Sequence, residues 1–212
     1  MGNRQALLLG AKRCLLEKGY IRTTARDIAA AAGVSLAAIG YHFSSKDALL
    51  TEALILAIDD WSTDFRNALA TAVPDRANPA QRFEATWARL IETFEMNRTL
   101  WAANFELFAH MDHMPEIRRV LGDSLQQARV GLASLFLNRD VSEIDEHTAR
   151  TTGAFYHALM SGLMAQWLIN PKHAMSARDL TEALRATTAT LQPTLKTSKT
   201  KPRPAKKRST RR

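Results

Sequence analysis

Residues 23–43 read TTARDIAAAAGVSLAAIGYHF, and the reading of this stretch decides the fold. Thr24 and Asp27 stand at capping-box spacing, so a helix is expected to begin at Thr24. Ala25, Ile28, Ala29 and Ala32 then fall on one face, the i, i+3, i+4, i+7 pattern of an amphipathic helix. Gly33 follows at once, and glycine takes up the left-handed conformation that ends a helix without steric cost. Val34 is placed to fill the corner, and the Ser35 hydroxyl to cap a second helix. Ile39 and Phe43 turn that helix inward, which leaves Leu36, Ala37, Gly40 and Tyr41 largely on its outer side. Two short helices about a tight glycine turn form a helix-turn-helix, whose second helix can lie in the major groove of DNA. An ordinary helical hairpin inside an all-α core has the same pattern, so the flanks must decide.

Upstream, Leu7, Leu8, Ala11, Cys14 and Leu15 share one face of a helix expected over Asn3–Lys18 and closed by Gly19. Downstream, Ser44-Ser45-Lys46-Asp47 reads as a second capping box opening a long helix. The whole string LEKGYIRTTARDIAAAAGVSLAAIGYHFSSKDALL resembles the N-terminal domain of the TetR family of bacterial transcriptional regulators, over roughly residues 4–50. The motifs that carry the resemblance are Glu17-Lys18-Gly19-Tyr20, Thr23-Thr24, Ala32-Gly33-Val34-Ser35, Phe43 and Ser45-Lys46-Asp47.

The resemblance implies that the helix at about Leu36–His42 is the recognition helix. Thr24, at the start of the preceding helix, would hold a phosphate with its hydroxyl and the helix N–H groups. Ala37 and Ala38 are small enough for close approach to base edges, and an alanine methyl can meet a thymine methyl. Tyr41 and His42 sit near the end of the recognition helix, and Lys46 can reach a further phosphate. Arg22 and Arg26 are candidate backbone contacts, and Ser35, Leu36 and Gly40 complete the expected DNA-binding set. The family often has an aromatic residue where this chain has Gly40; Tyr41, next door, offers an aromatic contact in its place.

The chain has 212 residues, 46% of them hydrophobic, enough for one or two domains with a real core. Its lone cysteine, Cys14, excludes an intrachain disulfide and fits a reducing, cytoplasmic setting. Neither a secretory leader nor a membrane span is expected, because no apolar run approaches the ~20 residues a bilayer needs. The net charge of +8 is unevenly placed. Residues 192–212 hold nine Lys and Arg and no acid, residues 1–50 seven bases and three acids, and residues 51–191 thirteen bases and eighteen acids. Positive charge thus gathers at the two ends, where a phosphate backbone would want it. Residues 192–212 are expected to be disordered, for want of apolar residues. They read either as a nonspecific DNA-holding arm or as a solubilising terminus.

The middle of the chain lacks period-two alternation and is expected to be helical throughout, making the fold all-α. Three domains follow: 1–50 as the helix-turn-helix DNA-binding domain, 51–191 as a helical ligand-binding and dimerisation domain, and 192–212 as the basic tail. Breaks are expected at Val73-Pro74-Asp75 and Asn138-Arg139-Asp140. Caps are expected at Asn78-Pro79, Ser142 with Asp145, and Ser176 with Asp179.

A helix over about Glu146–Ile169 has a bulky apolar face with Tyr156, Met160 and Trp167, and a small one with Ala154, Ala158, Gly162 and Ala165. A helix apolar on both sides must bury both. With Leu180, Leu184 and Leu191 of the last helix, the small face is expected to pair with a second copy, as the resemblance implies. The resemblance also implies a small-molecule effector site, for which Trp87, Trp101, Asn104, Phe105, Phe108, Tyr156, Met160 and Trp167 are candidate lining residues for an apolar or flat ligand. No cofactor is expected. Glu106, His110 and His113, at i, i+4, i+7, would share one face if their helix continued, as metal ligands do; Pro115 argues that it ends. The expected function is a homodimeric repressor released from a pseudo-palindromic duplex operator by its effector. Alternatives are a tail-driven architectural DNA-binding protein and, with less to support it, an all-α metal-dependent enzyme.

Overall fold

A computed structural model describes residues 2–72, 77–108 and 115–191, and within these every regular element is helical. The elements are α1 (Asn3–Lys18), α2 (Ala25–Ala32), α3 (Ala37–His42), α4 (Lys46–Ala72), α5 (Pro79–Met96), α6 (Arg98–Phe108), α7 (Pro115–Leu137), α8 (Glu146–Thr148), α9 (Ala154–Ile169) and α10 (Ala177–Leu191). The expected break at Val73-Pro74-Asp75, residues His110 and His113, and the tail 192–212 lie outside the described residues. No helix among the described residues is long and apolar enough to cross a membrane.

The small head is α1 to α3. Leu7, Ala11, Cys14 and Leu15 of α1 meet Ile28 of α2, Ile39 of α3 and Phe43 in one buried cluster. Helix α4 is the spine. Its 27 residues span about 40 Å at ~1.5 Å per residue, so one helix serves both head and body. Near its start Leu49, Leu50 and Leu54 are fully buried, and each such leucine contributes about 1.5–3 kcal/mol. Farther along, α4 touches α5, α6 and α7 of the body. Head and body therefore share one continuous core, from Leu7 to Leu180.

Several local signals act away from where the sequence places them. The start of α4 is capped by Ser45, whose hydroxyl accepts the Ala48 N–H at 3.0 Å, so the Ser44–Asp47 box does not form. No side chain caps α3: two tight i→i+3 bonds, Ala38 N–H to Ser35 O and Ile39 N–H to Leu36 O, satisfy its second and third amides, and the Ser35 hydroxyl makes no capping bond. Asp140 caps a 3-10 turn over Val141–Glu143, and Asp145 caps α8, so the expected Ser142–Asp145 box is replaced by two separate caps. Asn78 with Gln81 and Ser176 with Asp179 cap as expected.

The helix expected over Glu146–Ile169 is interrupted. Between α8 and α9, Ala149–Gly153 forms one wide π turn without leaving helical dihedrals. There Gly153 backs onto α7: a Cβ at Gly153 would fall 2.8 Å from the Arg129 carbonyl carbon and 3.1 Å from its Cα.

Candidate nucleic-acid interface and effector region

The α2 start is built as its residues dictate. The Asp27 N–H donates to Thr24 Oγ1 at 3.2 Å, and the Thr24 N–H donates to Asp27 Oδ2 at 2.9 Å. The Thr24 hydroxyl also donates to that carboxylate, at 2.7 Å, and Lys18 Nζ donates to it at 2.6 Å. The Lys18 ammonium, then the Thr24 hydroxyl and amide, hold the Asp27 carboxyl far below the usual carboxylate range. Thr24 is thus committed to its own cap. Gly33 closes α2 at φ 67°, and its N–H and that of Val34 satisfy the last carbonyls of the helix.

That turn aims α3 outward. Ile39 and Phe43 are buried, whereas Leu36 is 49% and Tyr41 85% exposed, with Ala37 and Gly40 exposed beside them. Ala38 and His42 are half-buried, and the Tyr41 and His42 rings meet edge to face at 4.8 Å. Beyond that contact the Tyr41 ring lies open to solvent. Arg22, Thr24, Arg26 and Ser35 are exposed on the same head. Lys46 is engaged internally, 3.2 Å from Asp47 and 3.5 Å from the Thr23 carbonyl, so its ammonium is shared with the head's own acceptors.

In the body the candidate effector residues divide. Trp87 and Trp101 are fully buried: Trp87 stacks on Phe136 with centroids 5.2 Å apart, and Trp101 meets Trp61 edge to face at 4.6 Å. These two belong to the packed core. Asn104, Phe105, Tyr156, Met160 and Trp167 are half-buried and Phe108 is exposed, so these can meet a ligand. The fold adds aromatic residues not picked out in the sequence. Phe136 stacks on Tyr156 at 4.0 Å, Phe83 lies beside both, and Phe94 faces Trp167. Only the packing of α5, α7 and α9 brings them together. The indole N–H groups of Trp61, Trp87 and Trp101 are sealed from solvent with no hydrogen-bond partner among the described residues.

The candidate dimerisation residues also divide. Ala158 and Gly162 are exposed and Ala154 and Ala165 half-buried, so the small face of α9 is the open one; Phe155, 46% exposed, flanks it. Leu191 is exposed and Leu184 half-buried, but Leu180 is spent inside the subunit. It lies within the first turn of α10, which packs on α5.

Glu106 has a role that its spacing with two histidines does not suggest. Its Oε2 accepts the Ile21 backbone N–H at 3.0 Å, and its carboxylate lies alongside Gly19. A side chain of α6 thus grips the loop between α1 and α2. Among the described residues no group of His, Cys, Asp and Glu could hold a metal ion.

Comparison with known proteins places both halves. Residues 7–53 match the family model of bacterial regulatory proteins of the tetR family, and residues 78–190 match the tetracyclin repressor-like C-terminal domain. The transcriptional repressor BepR of Brucella suis is 25% identical over 175 residues, covering 80% of this chain and 82% of its own. The transcriptional repressor KstR2 of Rhodococcus jostii is 37% identical over 76 residues, only 36% of this chain and 37% of that protein. Among solved structures, a transcriptional regulator of Streptomyces coelicolor superposes with TM-score 0.63 at 25% identity, covering 88% of this chain and 98% of its own. The multidrug-binding protein EbrR, complexed with proflavin, superposes with TM-score 0.62 at 23% identity, covering 87% of this chain and 99% of that one. The chain therefore belongs to the TetR family of bacterial regulatory proteins, which are helix-turn-helix transcriptional regulators and not enzymes.

Proposed function

We propose that the protein is a homodimeric repressor that binds a pseudo-palindromic operator through α3 and leaves it when a small apolar or aromatic effector enters the body. The observation that carries the DNA-reading role is the outward face of α3, where Leu36, Ala37, Gly40 and Tyr41 stand exposed while Ile39 and Phe43 anchor the helix. Ser35, Ala38 and His42 would extend this face, Arg22 and Arg26 would supply phosphate contacts, and Thr24 and Lys46 would join them once a phosphate displaces their internal partners. The repressive direction is supported by the relatives BepR and KstR2, both repressors.

The domain division is 1–50 for the head, 51–191 for the effector and dimerisation body, and 192–212 for the tail. Two copies would pair through the open small face of α9, at Ala154, Ala158, Gly162 and Ala165, together with Leu184 and Leu191 of α10. The recognition helices would then read half-sites about one DNA turn apart. Asn104, Phe105, Phe108, Tyr156, Met160 and Trp167 would meet the effector, against the packed floor made by Trp87 and Trp101. A flat ligand suits this aromatic lining, and EbrR, which shares the fold, is a multidrug-binding protein crystallised with proflavin. Helix α6 carries both effector-facing residues and Glu106, so a shift of α6 reaches the head through the Ile21 amide.

The test is binding to the DNA upstream of the protein's own gene against scrambled DNA of equal length, across a salt series and with an added flat aromatic probe such as proflavin. Preference for the upstream DNA that survives high salt and is released by the probe supports the proposal. Equal binding to both sequences, vanishing with salt, supports an architectural DNA-binding role instead.

A further inference from the structure

Helix α9 carries no Lys, Arg, Asp or Glu over residues 154–169, and its one imidazole, His157, is half-buried. His157 stands one turn beyond Gly153 on the same helical face, the i to i+4 relation. At Gly153 that face backs onto the main chain of α7 at Arg129. Burial first, and then the Arg129 guanidinium, lowers the pKa of His157, and among the described residues no carboxylate acts on it. A fixed cation and a group able to take up a proton therefore share the crossing of α7 and α9.

Arg129 lacks the counterion that such a position calls for. Its Nε is sealed from solvent without a hydrogen-bond partner, and its side chain forms no ion pair among the described residues. Arg89 offers the contrast. Its Nε is equally sealed, but its guanidinium meets Glu92 at 2.9 Å. On α7 itself the carboxylate of Asp123 is engaged by Arg119, at 3.7 Å. A sealed donor on a charged group is costly to leave unsatisfied, so the position suits an acceptor that arrives from outside the chain.

The remainder of this crossing is aromatic. Phe136 follows Arg129 by two turns on the same face of α7, about 10 Å along its axis. It stacks on Tyr156 at 4.0 Å, and Phe83 of α5 lies 5.8 Å from Phe136 and 6.3 Å from Tyr156. All three rings are half-buried, as are Arg129 and His157, so none is closed to an arriving molecule. One helix pair thus presents a cationic end and an apolar, flat-sided end.

Resting on the reading of the body as an effector site, we propose that the effector is an aromatic monocarboxylate, its carboxylate held by Arg129 and His157 and its ring set against Tyr156, Phe136 and Phe83. The planar guanidinium presents paired N–H donors to the two oxygens of a carboxylate, and the imidazole supplies one more. With one permanent cation at the crossing, a single negative charge is balanced and a dianion is not. A cationic ligand would meet Arg129 there and, among the described residues, no carboxylate to offset it.

The experiment uses the full chain as wild type, Arg129→Gln, Arg129→Lys and His157→Gln. Each is titrated by calorimetry with 2-naphthoate, with 2-naphthamide, which keeps the shape and drops the charge, and with proflavin. Circular dichroism and light scattering check fold and assembly. Wild type is expected to bind the acid at least about tenfold more tightly than the amide. Arg129→Gln should abolish that preference while leaving the amide's affinity unchanged, Arg129→Lys should keep part of it, and His157→Gln should reduce it severalfold. The acid-to-amide ratio is the deciding quantity, because a purely structural role of Arg129 would move both ligands together. Equal binding of acid and amide by wild type overturns the proposal, whatever the variants do. So does a preference that survives Arg129→Gln; should that variant not fold, an Arg129→Lys ratio identical to wild type's together with an unchanged His157→Gln ratio does the same. Binding of proflavin or the amide without the acid overturns the proposal and leaves the effector reading standing, whereas binding of none of the three removes both.

Discussion

Replacing Gly153 by alanine should damage the body out of proportion to one methyl group. The added Cβ would sit 2.8 Å from the carbonyl carbon of Arg129 and 3.1 Å from its Cα. Carbon atoms in favourable contact stand about 3.5–4.0 Å apart, so α7 and the π turn must separate by about 1 Å. The obstacle is backbone, which cannot swing aside as a side chain would. Overpacking of this kind costs about 1–3 kcal/mol and sometimes more, and the upper end applies here. Alanine regains about 1 kcal/mol of helix propensity over glycine, leaving a net loss of about 2 kcal/mol. For a chain of this size that lowers the melting temperature by about 4–8 °C. Gly122→Ala on α7 is the control, since nothing lies within 4 Å of a Cβ there; it should gain about 1 kcal/mol and melt about 2–4 °C higher. Both variants are melted by circular dichroism at one fixed protein concentration. If Gly153→Ala melts within about 1 °C of wild type, or alongside Gly122→Ala, then the close crossing of α7 and the π turn is not a constraint and the reasoning fails.

Four further outcomes are expected. Tyr41→Ala should weaken operator binding about tenfold while leaving the melting curve unchanged, because an 85% exposed side chain contributes little to the fold; anisotropy and calorimetry check the two halves. Gly162→Trp should leave the subunit folded, since a Cβ there meets nothing within 4 Å, yet block pairing of α9, so light scattering should report a monomer. Glu106→Ala should speed hydrogen exchange at the Ile21 amide and weaken the effector's influence on DNA binding, whereas Glu106→Gln, which keeps an acceptor oxygen, should retain most of both. Burial, with some help from Arg129, lowers the pKa of His157 from its ordinary 6.5. The unfolded chain then takes up the proton first, so stability should fall as pH drops below about 6.5, and urea titrations of His157→Gln should show a flatter dependence between pH 7 and 5.

The head was legible in the sequence because its signals are local. The Thr24–Asp27 reciprocal cap, the left-handed Gly33 and the inward pair Ile39 and Phe43 each involve residues within a few positions of one another, and each stands in the structure. Caps were misplaced where two candidates competed. Ser45 outdid Ser44, and Asp140 and Asp145 divided the capping expected of Ser142, because the better cap depends on where the chain enters the helix. Non-local features left no periodic trace. The π turn exists where α7 comes against Gly153, and Leu180 is claimed by its own subunit at a position that periodicity alone assigns equally well to a partner. Glu106 is the sharpest case: its spacing with His110 and His113 suggested a metal face, whereas its carboxylate is engaged with an amide 85 residues earlier in the chain.

The sealed indoles also make the body its own reporter. The chain has four tryptophans and none precedes Trp61, so the indole emission comes wholly from the body. Trp61, Trp87 and Trp101 hold their N–H groups away from water and from any acceptor among the described residues, a setting in which indole emits toward the blue. A compound that opened this core would redden or quench the signal with no label attached. The head contributes no such light, so a change of colour on adding operator DNA would report a change carried into the body. Reciprocity requires that a compound which alters DNA affinity have its own affinity altered by DNA by the same factor.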